Sequence, residues 1–234
     1  MAPPPPTGVR LHASIDDVRA ILDHAQRQVD PARRGDRGSS PQSHRAEQVL
    51  LLARLAADSG ARRGELAALQ LGDLDGDVLT ISRGFSNEVL GPTKSRRIRR
   101  VTLGATAANL WRESVERWRS QTSTPFGPWL FSAAPDHSRR LTTSTLGHWF
   151  AALTLDAGHP DVTLHRIRQT VATTLVSRGH LLQAQYRLGH RDASTTLRVY
   201  SHVLPLTDQD TAATLDRLYR PNTPPDRPRN RRRR

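Results

Sequence analysis

Lys94, in the stretch GPTKSRRIRR at residues 91–100, is the only lysine among the 35 lysine and arginine residues of the chain. Arginine can replace lysine wherever only positive charge is needed. It cannot replace lysine as a proton donor, because the guanidinium pKa lies above about 12. The single lysine raises the question of why this position kept an ammonium group; chance in an arginine-biased composition is the alternative to a chemical role.

Two further pairs of residues have spacings that suit chemistry. Arg62 and Glu65 lie in the segment GARRGE, where a turn ends one helix and Glu65 opens the next. His165 and Arg168, in LHRIR, are spaced to share one face of a helix. Each pair also has a purely structural interpretation: an ordinary ion pair for the first and a solvated basic face for the second.

The segment LGHRDASTTLRVYSHV, residues 188–203, carries His190 and, ten residues later, Tyr200. Taken alone, the tyrosine would more often be a packed ring with a satisfied hydroxyl. The histidines do not predict zinc, because the chain has no cysteine and no HExxH motif.

In this order, the segments resemble the catalytic domain of the tyrosine recombinases, the phage integrase family. That family combines a G-x-R-x-x-E box, a lysine in a β-hairpin, H-x-x-R, L-G-H, and a tyrosine that follows T-T. The resemblance covers residues 11–219 and assigns six catalytic positions: Arg62, Lys94, His165, Arg168, His190 and Tyr200.

The resemblance implies that the Tyr200 phenol attacks a DNA backbone phosphate. The products are a 3′-phosphotyrosine and a free 5′-hydroxyl. Without a metal ion, fixed cations must stabilise the extra negative charge of the transition state, a role for Arg62 and Arg168. His190 would add a hydrogen bond to the same phosphate.

The resemblance also implies two proton transfers. His165 would accept the phenolic proton, because an imidazole titrates near neutral pH. Lys94 would protonate the departing 5′-oxygen, and its neighbours would lower its pKa; these are Arg96, Arg97, Arg99 and Arg100. The phosphotyrosine conserves the energy of the phosphodiester bond, so no cofactor, ATP or metal is expected.

The charge of the chain agrees with a nucleic-acid partner. The net charge is +13 and the sequence pI is near 11.5, so a polyanion is the first partner to consider. The longest apolar run, VLLLARLAA at 49–57, is too short to cross a bilayer. No membrane partner is expected, and the predicted location is cytoplasmic and nucleoid-associated.

The elements that must position these residues are mostly helical. Helices are predicted at 14–29, 46–57, 105–120, 142–157, 164–178, 181–188, 194–202 and 208–219, with a short helix after the turn near residue 60 and a flexible loop at 30–43. One small antiparallel sheet is predicted between Val78 and Leu103. The predicted fold is mainly α with a small antiparallel β-sheet (α+β), the catalytic-domain fold of the tyrosine recombinases.

The ends of the chain have a different composition. Residues 1–10 form a Pro-rich lead-in, and residues 220–234 form an Arg-rich tail that is expected to be disordered. The tail is either a solvated end or an arm that contacts DNA. Members of the resembled family usually carry a core-binding domain before the catalytic one; here we expect that domain to be absent, as in a truncated gene, a fragment or a catalytic domain that works with another chain.

The functional prediction is a site-specific recombinase or integrase acting on double-stranded DNA. By resemblance, it works as a homotetramer on two duplexes, with accessory DNA-bending proteins as further candidate partners. Two alternatives stay open: a non-catalytic DNA-binding remnant of an integrase, and a nicking-closing activity like that of a type IB topoisomerase, without recombination.

Overall fold

The computed structural model describes residues 12–34 and 40–189. In this part the helices are α1 (Ile15–Arg34), α2 (Pro41–Ser59), α3 (Arg63–Ala67), α4 (Ala105–Ser120), α5 (Thr143–Asp156), α6 (Leu164–Ser177) and α7 (Leu181–Leu188), with a 3₁₀ turn at Leu71–Asp73. The strands are β1 (Leu74–Asp75), β2 (Val78–Ile81), β3 (Arg83–Ser86), β4 (Val89–Pro92) and β5 (Arg99–Thr102). The prediction of a mainly helical fold with a small antiparallel β component is confirmed.

Helix α2 is the centre of the core. Leu50, Leu51, Leu52 and Leu55 are all buried, so the helix is covered on nearly every side. Helices α1, α4, α5 and α6 each pack against it. Two buried polar residues near its start are satisfied: Glu47 accepts hydrogen bonds from Arg117 and Trp118, and the Gln48 amide bonds both backbone groups of Ser132.

The prediction of a flexible loop at 30–43 was wrong at both ends. Helix α1 continues to Arg34, through Pro31, and α2 begins already at Pro41. Proline is favoured in the first turn of a helix, where its missing N–H would have no partner anyway. The Ser40 hydroxyl caps this helix by accepting a hydrogen bond from the backbone N–H of Ser43, at 3.1 Å.

The strands form two sheets in the described region, where the sequence predicted one. Strands β1, β2 and β5 make a three-stranded antiparallel sheet, and β3 and β4 make a separate hairpin. Asn87 and Glu88 turn the hairpin with φ of 49° and 60°, the left-handed values that a two-residue turn needs. The hairpin packs on α3, and its turn bonds the start of α5 through Glu88 and Thr143. The three-stranded sheet contributes Leu79, Ile81 and Val101 to the core.

The other helix predictions are confirmed to within a residue or two for α4, α5, α6 and α7. The helices predicted at 194–202 and 208–219 lie outside the described residues. None of the described helices is both long and apolar enough to cross a membrane.

His137 is a fully buried titratable residue in the loop between α4 and α5. Its ring stacks between Trp118 and Phe126, with ring centres at 4.7 and 4.6 Å. One ring nitrogen, Nδ1, lies 2.7 Å from the carbonyl oxygen of Trp129. Burial lowers the pKa of His137 from 6.5 to about 4.

We expect this histidine to make the fold less stable in mild acid. The unfolded chain binds a proton at this residue below pH 6.5, whereas the folded chain binds one only below about pH 4. The free energy of unfolding should therefore fall by about 3 kcal/mol between these pH values. Urea unfolding from pH 7 to 4 measures it: His137→Phe should flatten the profile, and the exposed His180→Gln should not. Equal slopes in the wild type and His137→Phe would contradict the prediction.

Candidate active site

Four of the six residues assigned from the sequence line one cleft. Arg62, Lys94, His165 and Arg168 surround a space of about 1000 Å³, which is bounded by the β3–β4 hairpin and by helices α3, α5 and α6. They come from three separate segments of the chain, since His165 and Arg168 share α6. The other two residues, His190 and Tyr200, lie outside the described residues.

Arg62 is the residue that caps the start of α3. Its backbone N–H donates to Glu65 Oε2 at 2.8 Å, which fixes the entry into the helix. Its guanidinium Nη1 donates to Glu65 Oε1 at 3.2 Å and to the Leu188 carbonyl at 3.4 Å. The ion pair considered from the sequence is therefore present, and the same side chain also lines the cleft.

Arg168, on α6, is 6% exposed and is held by two backbone carbonyls. Nη1 donates to the Gly60 oxygen and Nη2 to the Leu188 oxygen, both at 2.6 Å. Gly60 precedes α3, and Leu188 ends α7. The guanidinium thus joins the loop that leads to Arg62 to the end of the helix that leads to His190.

His165 and Arg168 both face the cleft, as their spacing predicts. His165 lies in the first turn of α6 and its side chain is exposed. The preceding Thr163 caps the helix by accepting a hydrogen bond from the backbone N–H of Arg166, at 3.2 Å. This cap fixes the start of the helix that carries both residues.

Lys94 lies in the turn that follows β4, and its side chain is exposed at the cleft. The Thr93 hydroxyl donates to the Arg97 carbonyl at 2.8 Å, and the Arg96 N–H donates to the Thr93 carbonyl at 2.7 Å, so the turn is closed by one side-chain and one backbone hydrogen bond. The sequence placed Lys94 within a hairpin. In the structure it lies in the connection between the two sheets, because β4 pairs with β3 and β5 pairs with β2.

Arg99 does not line the cleft but bonds to Glu65, and the sequence-based prediction did not separate it from its basic neighbours. It is 2% exposed and forms an ion pair with Glu65, with Nη2 at 2.6 Å from Oε2 and Nη1 at 3.2 Å from Oε1. Burial opposes the charged form of Glu65, but the hydrogen bonds from Arg99 and Arg62 outweigh it and hold the pKa of this carboxyl below its usual value. Arg99 is therefore buried against Glu65, whereas the sequence grouped it with the basic neighbours of Lys94.

A sequence signal for this burial exists in the alternation along β5. Arg99 and Val101 point inward, whereas Arg100 and Thr102 point outward.

The described residues contain no group of three or more His, Cys, Asp or Glu side chains that could hold a metal ion.

The phage integrase family model matches residues 13–206 of this chain. The chain belongs to the phage integrase family. The match includes positions 190 and 200, so it covers all six residues from which the resemblance was drawn. The prediction of the family is confirmed, and the roles of the individual residues stay predictions.

Individual phage integrase family members are distant in sequence. A tyrosine recombinase XerC of Herpetosiphon aurantiacus is 32% identical over 149 residues, which are 62% of this chain and 44% of that protein. A XerC-like tyrosine recombinase of Caldanaerobacter subterraneus subsp. tengcongensis is 26% identical over 199 residues, 75% of this chain and 50% of the relative. The chain spans about half the length of the curated relatives it matches.

The fold is also similar to solved integrase structures. The Tn1549 transposon integrase, solved with transposon right end DNA, matches with a TM-score of 0.64 at 20% identity, over 91% of this chain and 67% of that one. This likeness confirms the predicted catalytic-domain fold.

Proposed function

We propose that this phage integrase family member is a site-specific recombinase that cleaves and rejoins double-stranded DNA through a 3′-phosphotyrosine at Tyr200. The observation that carries the proposal is the convergence of Arg62, Lys94, His165 and Arg168 on one cleft from three separate segments. Two guanidiniums, an imidazole and an ammonium group are the residue types that metal-independent phosphoryl transfer needs.

In the proposed reaction, the Tyr200 oxygen forms a bond to phosphorus as the bond from phosphorus to the 5′-oxygen breaks. His165 accepts the phenolic proton, and Lys94 gives a proton to the 5′-oxygen, so the charges balance. Arg62 and Arg168 neutralise the negative charge that develops on the non-bridging oxygens. His190 adds a hydrogen bond to the same oxygens.

The lining of the cleft supports DNA as the substrate. Beyond the four assigned residues, it presents the polar side chains of Asn87, Ser144 and His148. These groups can donate hydrogen bonds to neighbouring phosphates of a strand. With a net charge of +13 on the chain, binding should weaken steeply as salt concentration rises.

Strand exchange between two duplexes requires four strand cleavages. We therefore propose a homotetramer on DNA as the recombining assembly, with accessory DNA-bending proteins as candidate partners. Association with the nucleoid would follow from DNA binding.

The test is covalent adduct formation on nicked suicide DNA substrates, drawn from a library of candidate sites, in EDTA. We expect a protein–DNA adduct on denaturing gels that is lost in Tyr200→Phe and reduced by about 100-fold or more in Lys94→Arg. A 5′-phosphorothiolate substrate, whose leaving group needs no proton, should restore the rate of Lys94→Arg. An adduct that survives in Tyr200→Phe would rule out this nucleophile.

The same substrates separate the alternatives. Relaxation of supercoiled DNA without joining of two duplexes would favour the nicking-closing activity. DNA binding with no adduct on any substrate would favour the non-catalytic remnant.

A further inference from the structure

We infer that Arg99 is a positioning residue that keeps Arg62 available for a phosphate by holding the carboxylate of Glu65. The inference rests on the proposed function, since it assigns Arg62 to the phosphate. Arg99 itself lines no part of the cleft. Its effect on the reaction therefore has to act through Glu65 and Arg62.

The first step is the geometry of Arg99. The Nη1 and Nη2 edge of its planar guanidinium donates to both oxygens of Glu65, at 3.2 and 2.6 Å. The remaining Nε donates to the Arg187 carbonyl at 2.8 Å. Both side chains of the pair are nearly inaccessible, with exposures of 2% and 3%. Bidentate pairing of this kind fixes the carboxylate in direction as well as in place.

The second step is the competition for Glu65. The carboxylate accepts hydrogen bonds from two guanidiniums. Arg99 donates two of them, whereas the Arg62 side chain donates one, at 3.2 Å. The Arg62 side chain is 29% exposed at the cleft. One carboxylate shared by two guanidiniums leaves one net positive charge, and burial of Arg99 places that charge on Arg62, where a phosphate can reach it.

The third step is the effect of losing Arg99. Arg62 would then be the only cation bonded to Glu65, and the pair would carry no net charge. The carboxylate would draw the Arg62 guanidinium into the bidentate position that Arg99 now fills, away from the cleft. A phosphate would then have to compete with an adjacent carboxylate for the same donors.

Arg99 also packs against the end of α7. Gly189 has φ of 63°, and a Cβ at this position would lie 3.1 Å from Arg99 Nη1. The same arginine thus sets both the carboxylate beside Arg62 and the backbone that leads to His190.

A double-mutant cycle tests the inference. In the wild-type background, Arg99→Met should slow adduct formation by about 100-fold, the size of effect seen when one charge-stabilising donor is lost. In the Glu65→Gln background the same change should cost less than about 5-fold, because no carboxylate is left to capture Arg62. A loss of 100-fold in both backgrounds would show that Arg99 acts independently of Glu65 and would overturn the inference.

The same set of variants also controls for a loss of folding. Arg99→Met leaves a buried carboxylate with a weaker partner and can fail to fold, whereas Arg99→Met combined with Glu65→Gln removes both buried charges together. The comparison of this double variant with Glu65→Gln alone then carries the test. Arg112→Met, which removes a guanidinium paired with the exposed Asp77 outside the cleft, is the matched control and should leave the rate within about 2-fold of the wild type.

Crystal structures decide the inference without any DNA reaction. In Arg99→Lys, which keeps the charge but loses the fork, we expect Arg62 to move onto Glu65 with two contacts below about 3 Å. Arg62 keeping its single contact in this variant would overturn the inference. If the wild type forms no adduct at all, the proposed function fails, and this structural comparison still decides the role of Arg99.

Discussion

Replacing Arg168 by lysine is expected to slow covalent adduct formation by about 10²–10³-fold while changing DNA affinity far less. Lysine keeps the charge but offers a compact ammonium group in place of a planar fork. Arg168 donates at 2.6 Å to both the Gly60 and the Leu188 carbonyls. A lysine at this site cannot hold both oxygens and still be directed at a phosphate.

The measurement is a single-turnover adduct assay beside a binding titration, with Arg166→Lys as the matched control on the same helix. Arg166 is not among the residues that line the cleft. Arg168→Lys also leaves a buried carbonyl without its donor, which costs about 1–3 kcal/mol of stability, so urea unfolding has to be measured in parallel. If Arg168→Lys forms the adduct at the wild-type rate, the role of Arg168 is structural: it joins α6 to Gly60 and Leu188 and does not stabilise the transition state.

The helices were predictable because their signals are local. The Ser14 cap with Asp17, the Thr142 cap and the Gly189 stop each lie within a few residues of the helix end they define. The loop prediction at 30–43 failed for a related reason. Proline and serine are common in loops, but Ser40 followed by Pro41 is also a good start for a helix.

The candidate site was predictable only as far as its motifs are contiguous. Arg62 with Glu65, and His165 with Arg168, are short spacings that the structure brings to one cleft. The stronger partner of Glu65 is Arg99, 34 residues away along the chain. In a stretch with four arginines, the alternation of Arg99 with Val101 is only a weak local signal for the buried one, because its burial depends on the register of β5 with β2 and on the distant carboxylate.

The division of the strands into two sheets was not predictable for a similar reason. β2 and β3 are separated only by Ser82, so the sequence reads as one continuous strand region. What separates them is pairing: β2 continues its ladder with β5, whereas β3 turns back on β4. Pairing partners are set by packing of the hairpin over α3, which a pattern along one strand does not contain.

Of the methyl groups that a single substitution could add in the site, the one added by Gly64→Ala is expected to disturb the structure most. A Cβ at Gly64 would lie 2.2 Å from the backbone oxygen of Phe85, with the Phe85 carbon and nitrogen at 3.2 and 3.3 Å. These are backbone atoms of β3, so no side-chain rotation can relieve the contact. Either α3 or the β3–β4 hairpin has to move.

We expect Gly64→Ala to lower the free energy of unfolding by about 3 kcal/mol, at the upper end of the usual cost of overpacking. Urea unfolding measures it, with Gly72→Ala as the matched control, since a Cβ there has no neighbour within 4 Å. Equal stability of the two variants would show that α3 and β3 can separate at no cost.

The same substitution should reduce adduct formation even under conditions where the variant is fully folded. Arg62 and Glu65 flank Gly64 at the start of α3, so a shift of this helix away from β3 moves the guanidinium relative to Arg168 and Lys94. A displacement of about 1 Å is enough to cost on the order of 100-fold in a reaction that depends on positioning. A folded Gly64→Ala protein with an unchanged rate would mean that the approach of α3 to β3 serves stability alone.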